Sequence, residues 1–335
     1  MSNPPLARNY RLNGFNLQVL CSEVLAEVLD DRFRLLPSSG PRHGETIFFD
    51  FRAIHHGEGH FVERPLQQGR AFYELASGQA SYFPSTDQLY LSYEDGLRAL
   101  GKLSESCASF SIVESEPANL FMASHLMLTI LLVEFFKRHR LYCMHAAGFS
   151  KDGKAILIPG TSGAGKSTLA ISLLRSGFGY LSDDMVFLGR RSSELRVLGF
   201  PEDVDVSDQT IRFFPELDFL GRIAKPVGSP KRHVRPDEIY HAPIVGDARP
   251  GAIVFPRISA SEKSSLRSIN ADEALFELVS NVLLTEKTSS QNHLNMLTEL
   301  ARQTPCYRLE AGRDFDRIPT LLSELLRGVQ EVMHA

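Results

Sequence analysis

The chain has 335 residues, 43% hydrophobic and 23% charged, and a formal net charge of -4 from 36 basic and 40 acidic side chains. Such a length can bury a substantial core in one large or two medium domains, and the composition argues against long disorder. Near-balanced charge removes any general electrostatic reason to bind nucleic acid or anionic lipid. Cys21, Cys107, Cys143 and Cys306 are scattered without metal-type or disulfide-type spacing, as in reduced cytosolic thiols. Met1 to Arg8 carries prolines and no apolar h-region. The longest apolar run, Leu126 to Val133, is too short to cross a bilayer and reads as a buried helix. A soluble, cytoplasmic protein is expected.

Residues 1–115 alternate short β-rich pieces, such as Thr46 to Phe51 and Gln88 to Tyr93, with turn clusters. One such cluster is Pro37 to Pro41 and another Phe83 to Asp87. His55, His56 and His60 with Glu58 read as a polar loop, since no soft ligand or helical frame supports a metal.

The second zone, residues 116–265, opens with a helix after Pro117. Ala155 to Pro159 is a short apolar run, as a buried strand requires. Ser167 to Ser176 reads as a helix with an apolar face of Leu169, Leu173 and Leu174, and Gly177 stands where a left-handed cap would fall. Gly179 to Leu188 reads as a second strand, interrupted by Asp183 and Asp184. Strand, loop, helix and strand make a βαβ unit with a right-handed crossover and parallel strands.

Residues 266–335 are expected to be mainly helical. Ala271 to Thr285 and Ser289 to Gln303 have helical spacing, with Ser289 as an N-cap. A β-like piece at Cys306 to Leu309 precedes a last amphipathic helix, Asp316 to Met333.

Between the Ala155 strand and its helix lies Gly160-Thr161-Ser162-Gly163-Ala164-Gly165-Lys166-Ser167, a match to G-x-x-x-x-G-K-[ST] at every fixed position. Glycines let successive N–H groups turn inward onto phosphate oxygens, and the following helix N-terminus adds partial positive charge. Lys166 is expected to neutralise the β- and γ-phosphates and Ser167 to ligate Mg²⁺, with Thr168 completing the cradle. If the two parallel strands are neighbours, Asp183 and Asp184 emerge near the γ-phosphate, at the carboxyl ends of the sheet. Adjacent strand residues face opposite ways, so one can support the metal while the other accepts a proton from an attacking hydroxyl. His145 precedes the loop, in a strand running into a turn.

The stretch from Met144 to Leu188 (MHAAGFSKDGKAILIPGTSGAGKSTLAISLLRSGFGYLSDDMVFL) resembles the catalytic core of HPr kinase/phosphorylase, which phosphorylates a serine of a sugar-transport phosphocarrier. The shared order is a histidine turn, strand, phosphate loop, helix and Asp-Asp pair. It spans roughly residues 141–190, with a looser tail to about residue 258. The resemblance implies an α/β fold: the P-loop kinase core of the HPr kinase/phosphoenolpyruvate carboxykinase type, between a β-rich N-terminal and a helical C-terminal region. It implies that Asp184 is the base on the acceptor hydroxyl, with His145 and Asp183 in support. It also implies that Arg249, in Arg249-Pro250-Gly251, stabilises the transferring phosphoryl group. Lys231, Arg232 and Arg235 are rival cations. Two departures stand out. Thr168 replaces the phosphorylase's glutamate, and its downstream metal-binding glutamate has no counterpart unless Glu202, Asp203 or Asp205 serves.

The expected reaction is transfer of the γ-phosphoryl of ATP, with Mg²⁺, to a serine of a peptide or protein. The expected partners are the nucleotide and that acceptor, with a homo-oligomer compatible and neither nucleic acid nor membrane involved. A small-molecule kinase and a nucleotide-binding regulator or NTPase stay open.

Overall fold

The computed structural model describes residues 4–37, 44–75, 77–161, 163–225 and 231–328. The chain divides into two compact units, Met1–Arg140 with Thr285–Ser289, and Leu141–Leu284 with Ser290–Ala335. The helix after Pro117, read from the sequence as the opening of the second zone, therefore belongs to the first unit.

Alternating apolar and polar residues build the first unit's sheet. Along Thr46–Ala53, Ile47, Phe49 and Phe51 are buried while Thr46, Arg52 and Ala53 are exposed. The strands are β1 (Leu6–Leu12), β2 (Phe15–Cys21), β3 (Thr46–Ala53), β4 (Arg70–Leu75), β5 (Gly78–Phe83), β6 (Gln88–Tyr93), β7 (Leu97–Lys102) and β8 (Cys107–Ile112). Their order is β1-β2-β3-β8-β7-β6-β5-β4, with β2, β3 and β8 mutually parallel. Helix α1 (Glu23–Arg32) starts at Ser22, whose hydroxyl accepts from the Leu25 N–H at 3.2 Å.

The second helical segment runs unbroken through α2 (Pro117–Phe121), a π-turn at Met122–Met127, and α3 (Leu128–Arg138). It is the one described helix long and apolar enough to cross a membrane, with a mean hydropathy of 1.7 in its most apolar window. Yet 67% of that window is buried inside the fold, where Phe135 meets the Phe49 ring edge-on at 5.8 Å. The π-turn leaves carbonyls looking for donors, and the Arg32 guanidinium donates to those of Ser124 and His125 and to the Thr129 hydroxyl.

Deeper in the same unit Glu134 and Lys137, both buried, pair at 2.6 Å, and Thr285 bonds to each. Glu134→Leu is expected to lower the unfolding free energy by about 3–5 kcal/mol, because it leaves a buried ammonium without its carboxylate. Denaturant unfolding measures this, and a loss below about 1 kcal/mol would show that the pair is dispensable.

The second unit contains β9 (Tyr142–Lys151), β10 (Lys154–Pro159), α4 (Lys166–Arg175), β11 (Gly179–Ser182), β12 (Met185–Arg191) and β13 (Glu194–Leu198). After them come β14 (Val204–Val206), α5 (Asp208–Ile211), a 3₁₀ segment at Pro215–Arg222, β15 (Arg232–Val234), α6 (Pro236–Ile239) and β16 (Asp247–Ile258). The unit ends with β17 (Ser265–Ile269), α7 (Ala271–Val279), the body of α8 (Lys287–Gln303), β18 (Cys306–Ala311) and α9 (Arg317–Arg327).

Strands β9 and β16 are long enough to serve two sheets. The order runs β10-β9-β12-β13-β16-β18-β17, closes on itself through a parallel β10–β16 pairing, and adds β11 beside β9. Antiparallel β9 therefore lies between β10 and the β11–β12 strands. The βαβ strands are parallel but not adjacent, because β9 fills the place between them. Ala155 and Leu157 share a core with Ile253 and Phe255 of β16, Ala274 and Leu278 of α7, and Leu297 and Leu300 of α8.

The boundaries of the C-terminal elements differ from the sequence reading. Helix α7 stops at Val279, short of Thr285. Helix α8 is capped by Glu286, which accepts from the Thr288 and Ser289 N–H groups, so Ser289 lies inside the first turn. The last helix ends at Arg327, short of Met333, because Gly328 turns left-handed as its cap; residues 329–333 of the expected span lie outside the described residues.

Candidate functional site

The site grows from the end of β10. Its five residues from Ala155 to Pro159 are buried, so the chain leaves the core at Gly160 with a fixed direction. Gly163 and Gly165 have φ of +86° and +93°, a region that side chains oppose, and they let the loop curl back into a helix. The Ala164 N–H closes a turn onto the Thr161 carbonyl at 3.2 Å. Leu169, Leu173 and Leu174 are buried, anchoring α4, and Gly177 takes the left-handed position after Ser176. The loop and the unpaired N–H groups of the α4 first turn thus share one place, a favourable setting for an anion.

Lys166, first residue of α4, folds its side chain back under the loop and is 8% exposed. Its ammonium donates to the Gly160 and Thr161 carbonyls and to His145 Nε2, the last at 3.0 Å. Burial lowers the Lys166 pKa, against the opposing pull of Asp184 and Asp183. An ammonium can only donate, so His145 Nε2 is the acceptor and the ring proton sits on Nδ1. Nδ1 lies 3.3 Å from Asp184 Oδ1. Burial likewise lowers the His145 pKa, which keeps the ring in this neutral form. Asp184, His145 and Lys166 form one continuous chain.

The local strand pairing explains that convergence. Ser182 pairs with Gly148 and Met185 with His145, so Asp183 and Asp184 bulge out between two segments of the same partner strand. The Met185 N–H donates to the Ser182 hydroxyl at 3.1 Å and closes the bulge. His145 is mid-strand in β9, not at a turn, and its N–H donates to the Asn281 carbonyl at 2.8 Å.

The two aspartates face different surroundings. The Asp184 side chain is 69% exposed. Asp183 is buried, Oδ2 accepts the Asp205 N–H at 3.2 Å, and Oδ1 has no hydrogen-bond partner. Burial, with the Asp184 and Asp205 carboxylates beside it, pushes the Asp183 carboxyl up to about 7. An orphaned buried carboxylate oxygen is what a cation site looks like before its cation.

The same raised value makes a stability prediction for the nucleotide-free protein. A folded pKa above the unfolded one means that stability is full below about pH 4 and falls as pH rises through 7. Asp183→Asn removes that loss, so its melting temperature should exceed wild type at pH 8 and match it at pH 4. The difference is worth about 4 kcal/mol at most. Equal melting shifts at both pH values would contradict the buried charge.

No protein-family model matches this sequence, and no curated protein matches it. Among solved structures, the HPr(Ser) kinase/phosphatase from Coxiella burnetii has a TM-score of 0.32 and 14% identity, covering 56% of this chain and 88% of that one. The likeness is weak.

Not every expected residue reaches the site. Arg249 opens the β16 pairing opposite Lys154, at the far end of β10 from the loop, and pairs with Glu194 at 3.3 Å. Thr168 turns its hydroxyl to Thr210 at 3.2 Å, away from the loop. Ser167 is half-buried at the start of α4, and Ser162 lies outside the described residues. Of the alternative acids, Asp205 touches Asp183 through its N–H. Asp203 faces Arg235 at 3.8 Å, and the Glu202 carbonyl accepts from the Tyr180 hydroxyl at 2.7 Å. Of the rival cations, Arg232 is held by the Leu220 carbonyl and Asp208, whereas Lys231 stands 3.9 Å from Asp205 and its charge reaches both Lys166 and His145. His55, His56, His60 and Glu58 do not converge, since His60 bonds to Ser111 and the Asp95 carbonyl.

Sequence reasoning missed Arg257 and Asn281. Together with Gly160, Thr161 and Glu277 they line a cavity of about 530 Å³ beside the loop. No motif marks them. The parallel β10–β16 pairing brings Arg257 there, and the turn after α7 brings Asn281.

Proposed function

We propose that this chain is a phosphotransferase that moves the γ-phosphoryl group of ATP to a hydroxyl. The observation that supports it best is the chain Asp184–His145–Lys166, with 3.3 and 3.0 Å spacings. It couples an exposed carboxylate to the lysine of a glycine loop that has the phosphate-binding pattern. A protein that merely held a nucleotide would need the lysine but not the carboxylate.

In this reading the loop from Gly160 to Gly165 cradles the phosphates with its N–H groups and Lys166 neutralises them. Asp184 accepts the proton of the acceptor hydroxyl as its oxygen bonds to the γ-phosphorus and the bond to the leaving ADP oxygen breaks. Neutral His145, with Nδ1 3.3 Å from the Asp184 carboxylate, would hold its orientation. Ser167 and Asp183 would hold Mg²⁺, whose charge would offset that of the phosphate oxygens. Few protein ligands suffice for that ion, which commonly binds one or two carboxylates plus substrate phosphates. Exposure of Asp184 suits an acceptor arriving on a macromolecule, and the acceptor assigned here is a serine of a peptide or protein.

The test is incubation of purified protein with γ-labelled ATP, Mg²⁺ and lysate of the source cells. Label in a polypeptide, lost with Asp184→Asn, supports the reading. Label only in free phosphate would make the chain an NTPase or regulator, and label in a new small compound would make it a small-molecule kinase.

A further inference from the structure

The cavity beside the loop contains a cation that the chain of Lys166, His145 and Asp184 leaves unused. Parallel pairing sets Ile156 beside Ala252 and Leu157 beside Ile253, so three residues later the loop stands beside the tip of β16. Gly160 confirms this, since a Cβ there would lie 3.8 Å from Pro256. Ile253 and Phe255 face α7 in the core, and Arg257 follows them on the same side of the strand. Its side chain therefore enters the space between the loop and the end of α7, where Glu277, Ser280 and Asn281 form the opposite wall.

Arg257 makes no hydrogen bond or ion pair among the described residues. Its cross-strand neighbour on β18 is Glu310, with which it forms no ion pair. The wall carboxylate of Glu277 is taken by the buried Arg308 guanidinium, so Arg257 is not neutralised from across the cavity. Lys166, in contrast, is held from the β9 side by His145 and by the loop carbonyls. The two cations thus reach the loop from opposite flanks. At about 530 Å³ the cavity also has the size of a small-ligand site.

We propose that Arg257 is a second phosphate-binding residue, its guanidinium engaging the polyphosphate chain of a nucleoside triphosphate from the β16 side of the loop. This rests on the phosphotransferase reading and assigns to Arg257 the charge-stabilising part that the resemblance implied for Arg249. The chemistry fits, because a guanidinium presents paired donors to phosphate oxygens and stays charged at any working pH.

The experiment measures dissociation constants of a fluorescent ATP analogue and, by competition, of ATP, AMP and inorganic tripolyphosphate. The proteins are wild type, Arg257→Ala, Arg257→Lys and Arg249→Ala. Loss of a charged hydrogen bond to phosphate predicts a rise of about 10- to 100-fold for ATP and tripolyphosphate with Arg257→Ala. AMP should change less, Arg257→Lys should recover part of the loss, and Arg249→Ala should stay within about twofold. Arg257→Ala that binds ATP within twofold of wild type, or loses ATP and AMP equally, overturns the proposal alone. Wild-type protein that binds no nucleotide overturns the phosphotransferase reading and this proposal with it.

Discussion

Lys166→Ala is expected to reduce phosphoryl transfer by about 10²–10³-fold, the loss seen when one preorganised charge-stabilising donor is deleted. The lysine is preorganised here. Its ammonium is buried, already donates to two loop carbonyls and His145, and needs little rearrangement to meet a phosphate oxygen at the same loop. Its lowered pKa reflects incomplete compensation inside the fold, and an incoming polyphosphate would supply the missing negative charge. The deficit should therefore appear first as weaker nucleotide binding and then as slower transfer. Fold integrity should persist, because the carbonyls it leaves belong to a loop whose turn is closed by backbone contacts. Fluorescent-nucleotide titration alongside a transfer assay separates the two effects. Full activity in Lys166→Ala would remove the phosphate-binding role from this loop altogether.

Local pattern and long-range pairing differ in how far the sequence reveals them. The Ala155–Pro159 strand, the loop and α4 were legible because each depends on neighbours within a few residues. These are an apolar run, glycines at positive φ, and leucines at helical spacing. Asp183 and Asp184 were legible as a break in an apolar strand for the same reason. That they face apart also follows from alternation, and their exposures agree. Strand neighbours were another matter. Nothing in the composition of Tyr142–Lys151 says that it inserts between β10 and β11, and that insertion gives His145 its two partners. Arg249 shows the cost most plainly. Its Arg-Pro-Gly context marks the start of a strand, and a strand parallel to β10 starts at the end remote from the loop. The residue at the other end of that strand, Arg257, had no local feature to announce it.

Asp184→Asn should leave nucleotide affinity within a few-fold of wild type and lower turnover by about 10²–10⁴, the usual share of a general base. Affinity is spared because Asp184 lies against His145 and not the loop, and an asparagine of the same shape keeps that neighbour. Stability is spared because the side chain is mostly exposed, where substitutions usually stay within about 0.5 kcal/mol. What the amide cannot do is take a proton from the acceptor hydroxyl. His145→Ala should fall between wild type and Asp184→Asn, since the carboxylate remains but its orientation and the contact to Lys166 are lost. That ranking distinguishes a base with a positioning histidine from a histidine base. Were imidazole itself to take the proton, His145→Ala would be the slower variant, but its Nε2 is already accepting from Lys166 and its Nδ1 carries a proton. Single-turnover rates on a labelled acceptor, for the three proteins at saturating nucleotide, read the ranking without interference from binding.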